Sequence, residues 1–191
     1  MEYSPVREFT GDLMVAEPRS AFYTLADLLP CSALTEVVAM ARGRLSRRGA
    51  DRCDELWLPD DGVAAGALGP GLLRRITDTM CEVNDRWWRL DIDTFRFKVL
   101  RYAPGHYAPA HMDMFPGSMR RKLTLVVQLS DPAVYTGGEL EVIGMGEQWS
   151  TIPRQFGLAA VFPSWTRHRV TRVVAGERWA LTAWAYGPPV R

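Results

Sequence analysis

Two histidines, one aspartate and one arginine stand out in this chain for the chemistry they could do together. His111 and Asp113 are separated by a single residue within the stretch YAPGHYAPAHMD, residues 102–113. In an extended strand such a pair points to one side. His168 lies far downstream, and Arg178 follows it. Two neutral imidazoles and one ionised carboxylate on one face of a cation leave the opposite face open, the 2-His-1-carboxylate arrangement of non-haem ferrous sites that handle oxygen. The carboxylate also offsets part of the ion's charge. A His-x-Asp pair alone is a weak signal, since it is usually a solvated pair, and His111 and His168 taken singly read as structural histidines. The remote histidine followed by an arginine, both in strand-like context, makes the set specific.

Such donors need rigid elements that bring distant segments together. From residue 95 onward the chain breaks into short β-rich runs, 95–102, 122–129, 139–143, 158–162, 168–174 and 178–186, separated by glycine- and proline-marked turns. Pro104-Gly105, Pro116-Gly117, Gly137-Gly138, Gly144–Gly146 and Ala175-Gly176 are those turns. Many short strands at this spacing predict a sandwich or jelly roll. The first part differs. Residues 21–29 and 34–45 carry apolar side chains at three- and four-residue spacing, interrupted by Pro30, with Cys31 and Ser32 opening the second run. Residues 71–88 form a third helical candidate, with Leu72, Leu73, Ile76, Met80, Val83 and Trp87 as its apolar stripe. Residues 59–70 read as a loop. No linker argues for a division, so the expectation is one domain over 1–191: a helical support region, 1–90, packed on one sheet, and a β core, 91–191, that carries the metal site.

Composition excludes several classes. Apolar residues make up 47% and charged residues 24%, ordinary for a globular protein. With 23 basic and 22 acidic residues the formal charge is +1, which gives no general attraction to nucleic acid or an anionic membrane. The basic cluster Arg42, Arg44, Arg47, Arg48 and Arg52 follows a predicted helix and has no interleaved aromatic residues on which bases would stack, so it reads as surface charge. No secretory leader or membrane-length apolar run is expected. Cys31, Cys53 and Cys81 are odd in number and lack zinc spacing, which suggests thiols in a reducing cytoplasm.

Three groups of residues carry a resemblance to a known family. They are Tyr102-x-x-Gly105-x-Tyr107-x-x-x-His111-x-Asp113; Leu129-Ser130-Asp131 with Tyr135-x-Gly137-Gly138-Glu139-Leu140; and Pro163, His168-Arg169-Val170, Gly176-x-Arg178. In this order they resemble the prolyl-4-hydroxylase-like branch of the 2-oxoglutarate/Fe(II)-dependent oxygenases, in particular its bacterial stand-alone hydroxylases, over roughly residues 84–187. The resemblance implies a double-stranded β-helix fold, mainly β with N-terminal helices. It implies Fe(II) on His111, Asp113 and His168, with 2-oxoglutarate and O2 as co-substrates. It places Arg178 on the distal carboxylate of 2-oxoglutarate, which suits a guanidinium fork. Tyr102 matches the family tyrosine that approaches the co-substrate. Thr182 and Trp184 share the side of Arg178 by period two: Thr182 as a hydroxyl donor, Trp184 as a wall, with inward packing the simpler reading of both. Gln128, on a face with Thr124 and Val126, stands where relatives can carry tyrosine and is a further candidate contact. The resemblance also implies hydroxylation of a C–H bond, with 2-oxoglutarate decarboxylated to succinate. Because Asp113 is present, it favours hydroxylation over halogenation.

Weaker candidates surround the ligands. Met114, Trp165, Arg167 and Trp184 could line a substrate pocket, with core packing or loop exposure as the plain alternative. Met112 and Phe115 have the same ambiguity. His106 reads as an exposed loop residue, and Arg120, Arg121 and Lys122 as a solvated strand entry. The nucleic-acid-repairing branch of the superfamily does not fit, because its longer arginine-bearing motif does not follow His168. The expectation is therefore a hydroxylase acting on a small amino-acid-like substrate, as a monomer or homodimer without nucleic-acid or membrane partners. The alternatives are a peptidyl or protein prolyl hydroxylase and a non-catalytic metal- or ligand-binding jelly roll. Substrate identity, hydroxylated position, oligomeric state and pathway are not encoded in these motifs.

Overall fold

Period-two alternation in the C-terminal strand, Arg178–Tyr186, sorts the molecule into layers. Trp179, Leu181, Ala183 and Ala185 enter one apolar core, while Arg178, Ala180, Thr182 and Trp184 line a cavity on the opposite side. The same alternation recurs in the strands beside it. The computed structural model describes residues 21–47, 52–58, 70–144 and 147–189. In chain order its main elements are β1 (Tyr23–Leu25), α1 (Cys31–Ala41), β2 (Ser46–Arg47), β3 (Asp54–Leu58) and α2 (Pro70–Trp87). Next come β4 (Thr94–Tyr102), β5 (Ala108–His111), β6 (Arg121–Gln128), β7 (Tyr135–Gly137), β8 (Leu140–Ile143) and β9 (Trp149–Thr151). The chain closes with β10 (Ala159–Pro163), β11 (His168–Val170), β12 (Val173–Gly176) and β13 (Arg178–Tyr186).

A seven-stranded sheet runs β1-β10-β6-β13-β4-β3-β2, a four-stranded sheet runs β5-β11-β8-β9, and β12 pairs with β7. Between the two larger sheets Tyr102, Val126, Phe162 and Ala180 meet Leu140, Val142 and Val170. This is the jelly-roll core. On the outer face of the large sheet, α1 and α2 pack through Leu34, Val37 and Ala41 and through Leu72, Leu73, Ile76, Met80 and Val83. Each fully buried aliphatic side chain there, such as Ile76 or Met80, contributes about 1.5–3 kcal/mol.

The N-terminal third differs from the helical region expected from its spacing. Residues 21–29 are not a helix: Tyr23–Leu25 is an edge strand pairing with Ala159–Val161. Tyr23 stacks on Trp87 at 4.5 Å, and Leu28 and Leu29 are buried beyond the strand. Apolar residues of a strand and of the turn after it had imitated a helical period. The second helix stops at Ala41, where Arg42 leaves the helical region and Gly43 takes φ +80°. β2 and β3 then extend the large sheet, so the described part of the expected helical region supplies strands as well as helices. The expected loop 59–70 lies, apart from Pro70, outside the described residues, as do Arg48 and the end of the 144–146 turn.

The run 168–174 is two strands rather than one. At the break, Thr171 accepts from the Glu139 N–H at 2.8 Å, donates from its hydroxyl to the Glu139 carboxylate, and bonds its own N–H to the Glu139 carbonyl. β11 therefore stays in the metal-bearing sheet while β12 turns to β7. Ala175 and Gly176, expected as a turn, still pair with Thr136 and Tyr135.

One ion-pair network ties α1 to the sheet. Glu177 receives both Nε and Nη2 of Arg101 on Oε1, and its Oε2 receives Trp179 Nε1 at 3.2 Å and lies 3.5 Å from Arg42. Burial pushes the Glu177 carboxyl up, but Arg101, Trp179 and Arg42 together hold it below the usual range. A depressed carboxylate stabilises the fold above its unfolded value, about 4.3, and loses that contribution as pH falls through the folded value. Glu177→Gln should thus lose up to about 1 kcal/mol in urea unfolding at pH 7. The deficit should shrink toward zero at pH 3; an equal deficit at both pH values would show that charge is not what matters.

Candidate metal centre

The four-stranded sheet brings the two histidines together by register. His111 closes β5 and His168 opens β11, directly opposite each other, with ring centroids 4.3 Å apart. Asp113 follows the end of β5, and its N–H and that of Met114 both donate to the Ser164 carbonyl, at 2.9 and 2.8 Å. Ligand atoms of His111, Asp113 and His168 all lie within 4.8 Å of one another. Among the described residues this is the one His/Cys/Asp/Glu cluster with that geometry.

Their protonation suits a cation. His111 Nδ1 lies 2.7 Å from the Pro109 carbonyl and His168 Nδ1 lies 2.9 Å from the Thr166 carbonyl. A carbonyl only accepts, so each Nδ1 carries the proton and each Nε2 presents a lone pair. Those Nε2 atoms sit 3.6 and 3.7 Å from Asp113 Oδ1 and Oδ2, too far for good hydrogen bonds. Three electron-rich donors thus converge on one spot, and backing carbonyls of this kind are usual behind metal-bound imidazoles. Without a cation, a proton on His111 relieves the crowding. Burial opposes charge there, but Asp113 and the Pro109 carbonyl outweigh it and raise the His111 pKa. Burial lowers that of His168, against the pull of Asp113. Burial would raise the Asp113 carboxyl, yet His111, the charge of His168, and the Trp184 and Thr124 donors hold it well below the carboxylate range. The His111 side chain is 43% exposed, against 7% for Asp113 and for His168, so solvent meets the site on the His111 side.

One cavity joins these donors to Arg178, with Tyr102, Val126, Ala180 and Thr182 along its wall. Arg178 is 1% exposed, lies opposite Tyr102 in the β13–β4 register, and donates from Nη2 to Gln128 Oε1 at 3.0 Å. Its guanidinium carbon is 5.2 Å from the Tyr102 ring centroid. Among the described residues it makes no ion pair with a carboxylate, and the buried Arg178 Nε, Gln128 Nε2 and Tyr135 Oη have no hydrogen-bond partner there. A buried cation with unfilled donors calls for an anion with a fork of oxygens. The site therefore fits a ferrous ion and a dicarboxylate-type co-substrate. Gly138 makes room for this arginine: at φ +68°, a Cβ would lie 3.0 Å from Arg178 Cδ and 2.9 Å from Val173 Cγ2. Burial, then Cys53, raises the Tyr102 phenol pKa while Arg178 opposes the rise, so the hydroxyl stays protonated and able to donate.

The other candidates separate. Thr182 and Trp184 line the cavity, but the Trp184 N–H is spent on Asp113 Oδ2 at 2.8 Å. Met114 is half-buried, Trp165 and Arg167 are exposed, and none of the three lines the cavity. Met112 and Phe115 are exposed. His106 is buried, not an exposed loop residue: its N–H bonds the Ala103 carbonyl and its carbonyl takes the Val173 N–H, which presses the loop onto β12. The strand entry is not solvated either. Lys122 is buried, and Arg121 lies over the Trp184 ring at 4.5 Å, 3.9 Å from Asp113 Oδ1; only Arg120 is exposed. Sequence reasoning assigned no role to Thr124, whose hydroxyl donates to Asp113 Oδ2 at 2.7 Å, although its shared face with Val126 and Gln128 was a usable signal. It also missed the Lys98–Glu55 pair of 2.8 Å under Trp57, because β3 was not recognised as a strand.

Residues 97–186 match the family model of the 2OG-Fe(II) oxygenase superfamily. A PKHD-type hydroxylase of Acidovorax ebreus (strain TPSY) is 38% identical over 125 residues, covering 61% of this chain and 53% of that protein. The chain spans about half the length of this curated relative, and less of the next. Among solved structures, a Pseudomonas putida prolyl-4-hydroxylase aligns with TM-score 0.75 at 21% identity, covering 88% of this chain and 94% of that one. A Trichoplax adhaerens prolyl hydroxylase, in complex with a peptide fragment of the hypoxia inducible factor oxygen degradation domain, aligns with TM-score 0.72 at 21% identity, covering 87% and 83%. At such identities the structural likeness speaks for the fold.

Proposed function

We propose, from the premise that this chain belongs through residues 97–186 to the 2OG-Fe(II) oxygenase superfamily, that it is a 2-oxoglutarate- and Fe(II)-dependent hydroxylase of the PKHD and prolyl-hydroxylase type. The observation that carries the proposal is the cavity running from the His111, Asp113 and His168 donors to the buried guanidinium of Arg178, which makes no ion pair with a carboxylate among the described residues.

In this reading His111, Asp113 and His168 hold the iron through two Nε2 atoms and a carboxylate oxygen. Arg178 and Gln128 bind the distal carboxylate of 2-oxoglutarate with donors that otherwise lack partners, and Tyr102 donates its phenol beside them. Thr182 borders the same space. Leu100, Val126, Leu140 and Ala180 keep water from it. Held by these residues, the metal and 2-oxoglutarate would supply the oxidising chemistry, in which O2 provides one oxygen atom to succinate, formed with CO2, and one to the substrate C–H bond. The protein's own part is orientation and dryness, with the substrate entering on the exposed His111 side.

For the substrate we propose an amino-acid-like group on a small molecule. A second reading, a peptidyl prolyl hydroxylase, is favoured by the exposed Met112, Phe115, Met119 and Trp165 in the segments next to the ligands. The same proposal has no nucleic-acid partner, a monomer or homodimer, one domain, and a cytoplasmic setting with Cys31, Cys53 and Cys81 as thiols. Among the described residues no helix is long and apolar enough to cross a membrane. Succinate formation from 2-oxoglutarate, Fe(II) and O2, stimulated by free amino acids or by short proline peptides, tests both readings. Stimulation by proline peptides alone would reverse the small-molecule assignment, and no Fe(II)-dependent succinate under any condition would remove the enzyme.

A further inference from the structure

We infer that Cys53 is a positioning residue for the co-substrate, acting through Tyr102: its thiol keeps the phenol hydrogen-bonded and in place whether or not 2-oxoglutarate is bound. This role, which rests on the 2-oxoglutarate site proposed above, begins from strand register. β3 pairs with β4 so that Asp54 lies opposite Arg101. One residue further along the antiparallel pair, Cys53 comes opposite Tyr102, and Tyr102 lies opposite Arg178 in β13. Residues directly opposite share a face. Thiol, phenol and guanidinium therefore form a row across three neighbouring segments, with Tyr102 and Arg178 on the cavity wall.

The row is buried. Cys53 is 8% exposed and Tyr102 3%, and both belong to the core between the two larger sheets, with Phe162 and Ala180. The thiol and the phenol share a hydrogen bond. Arg178 Nε and Gln128 Nε2 have no partner among the described residues, whereas the phenol has the thiol. A buried hydroxyl left alone would be costly.

A thiol is both a weak donor and a weak acceptor. It accepts from the phenol while the cavity is empty, and it donates to the phenol oxygen once the phenol proton turns to the co-substrate. Tyr102 thus binds ligand without leaving its own oxygen stranded, and a group ordered beforehand costs less to fix on binding. Valine at this position would serve packing alone; only a side chain that donates and accepts serves both states of the phenol.

Calorimetric titration of the Mn(II)-loaded full-length protein with 2-oxoglutarate, without oxygen, tests this role in the absence of turnover. Cys53→Val keeps an apolar side chain and removes the hydrogen bond; Cys53→Ser keeps a group that donates and accepts. Cys53→Val should weaken 2-oxoglutarate binding about 3- to 10-fold, the worth of one neutral hydrogen bond. Cys53→Ser should stay within about twofold of wild type. In a Tyr102→Phe background Cys53→Val should cost nothing further, because no phenol is left to hold. Thermal unfolding of the ligand-free variants checks that they fold, and Cys53→Ala takes the place of Cys53→Val if the branched side chain is not accommodated. Wild-type affinity in Cys53→Val, an equal loss with and without the phenol, or a Cys53→Ser as weak as Cys53→Val would each overturn the role while leaving the co-substrate site standing. A wild-type protein that binds Mn(II) but not 2-oxoglutarate would take down the co-substrate site together with it.

Discussion

Arg178→Met should abolish the rise in thermal stability that 2-oxoglutarate gives the metal-loaded protein. Removing one partner of a buried charge pair loses about 2–5 kcal/mol, which is roughly 30-fold to several-thousand-fold in co-substrate affinity. Arg178→Lys should fall between, because an ammonium keeps the charge but cannot form the fork that spans two carboxylate oxygens. The sign reverses without ligand. Arg178 is then a buried cation with no carboxylate in ion-pair contact among the described residues, Glu139 feeling its charge only at longer range, and with an unfilled Nε. Such a charge is a liability, so ligand-free Arg178→Met should unfold at or above the wild-type temperature. Thermal shift with and without 2-oxoglutarate reads both effects at once. A variant that keeps the full ligand-induced shift would mean the co-substrate is anchored elsewhere.

Asp113→Ala should reduce succinate formation to the level of an enzyme-free control. Metal affinity should fall by more than the 10- to 100-fold expected for groups behind the ligands, because a coordinating, charge-neutralising donor is gone. A second readout does not depend on the metal. In the metal-free protein Asp113 raises the His111 pKa against the effect of burial. With Asp113 removed, only the Pro109 carbonyl still opposes burial, and the His111 titration, followed by NMR, should move to lower pH. Turnover equal to wild type would remove the carboxylate from the metal centre, and an unmoved His111 titration would mean that the two side chains do not meet in solution.

Much of the site was legible because it depends on residue type and local period. His111 and Asp113 could be grouped from their spacing, Arg178 with Thr182 and Trp184 from alternation, and Thr124 with Gln128 in the same way. The errors arose where local pattern is degenerate. Residues 21–29 carry Tyr23 and Leu25 in a strand and Leu28 and Leu29 after it, and this mixture imitates helical spacing. β3 is only DELWL, too short and too charged to announce itself, because Glu55 finds its partner Lys98 only across the sheet. His106, polar and beside a Pro-Gly turn, reads as exposed, yet long-range bonds to Val173 bury the loop.

From its residue order alone, this chain determined which donors are available and on which side of each strand they stand, since both follow from a two-residue repeat and the chemistry of imidazole, carboxylate and guanidinium. Tertiary structure decided where those sides meet. The pairing of β5 with β11 sets His111 against His168, and that of β6 with β13 aims Thr124 and Trp184 at one oxygen of Asp113. The reason is physical: strand register is settled by contacts between segments far apart in sequence, and no local period contains that information.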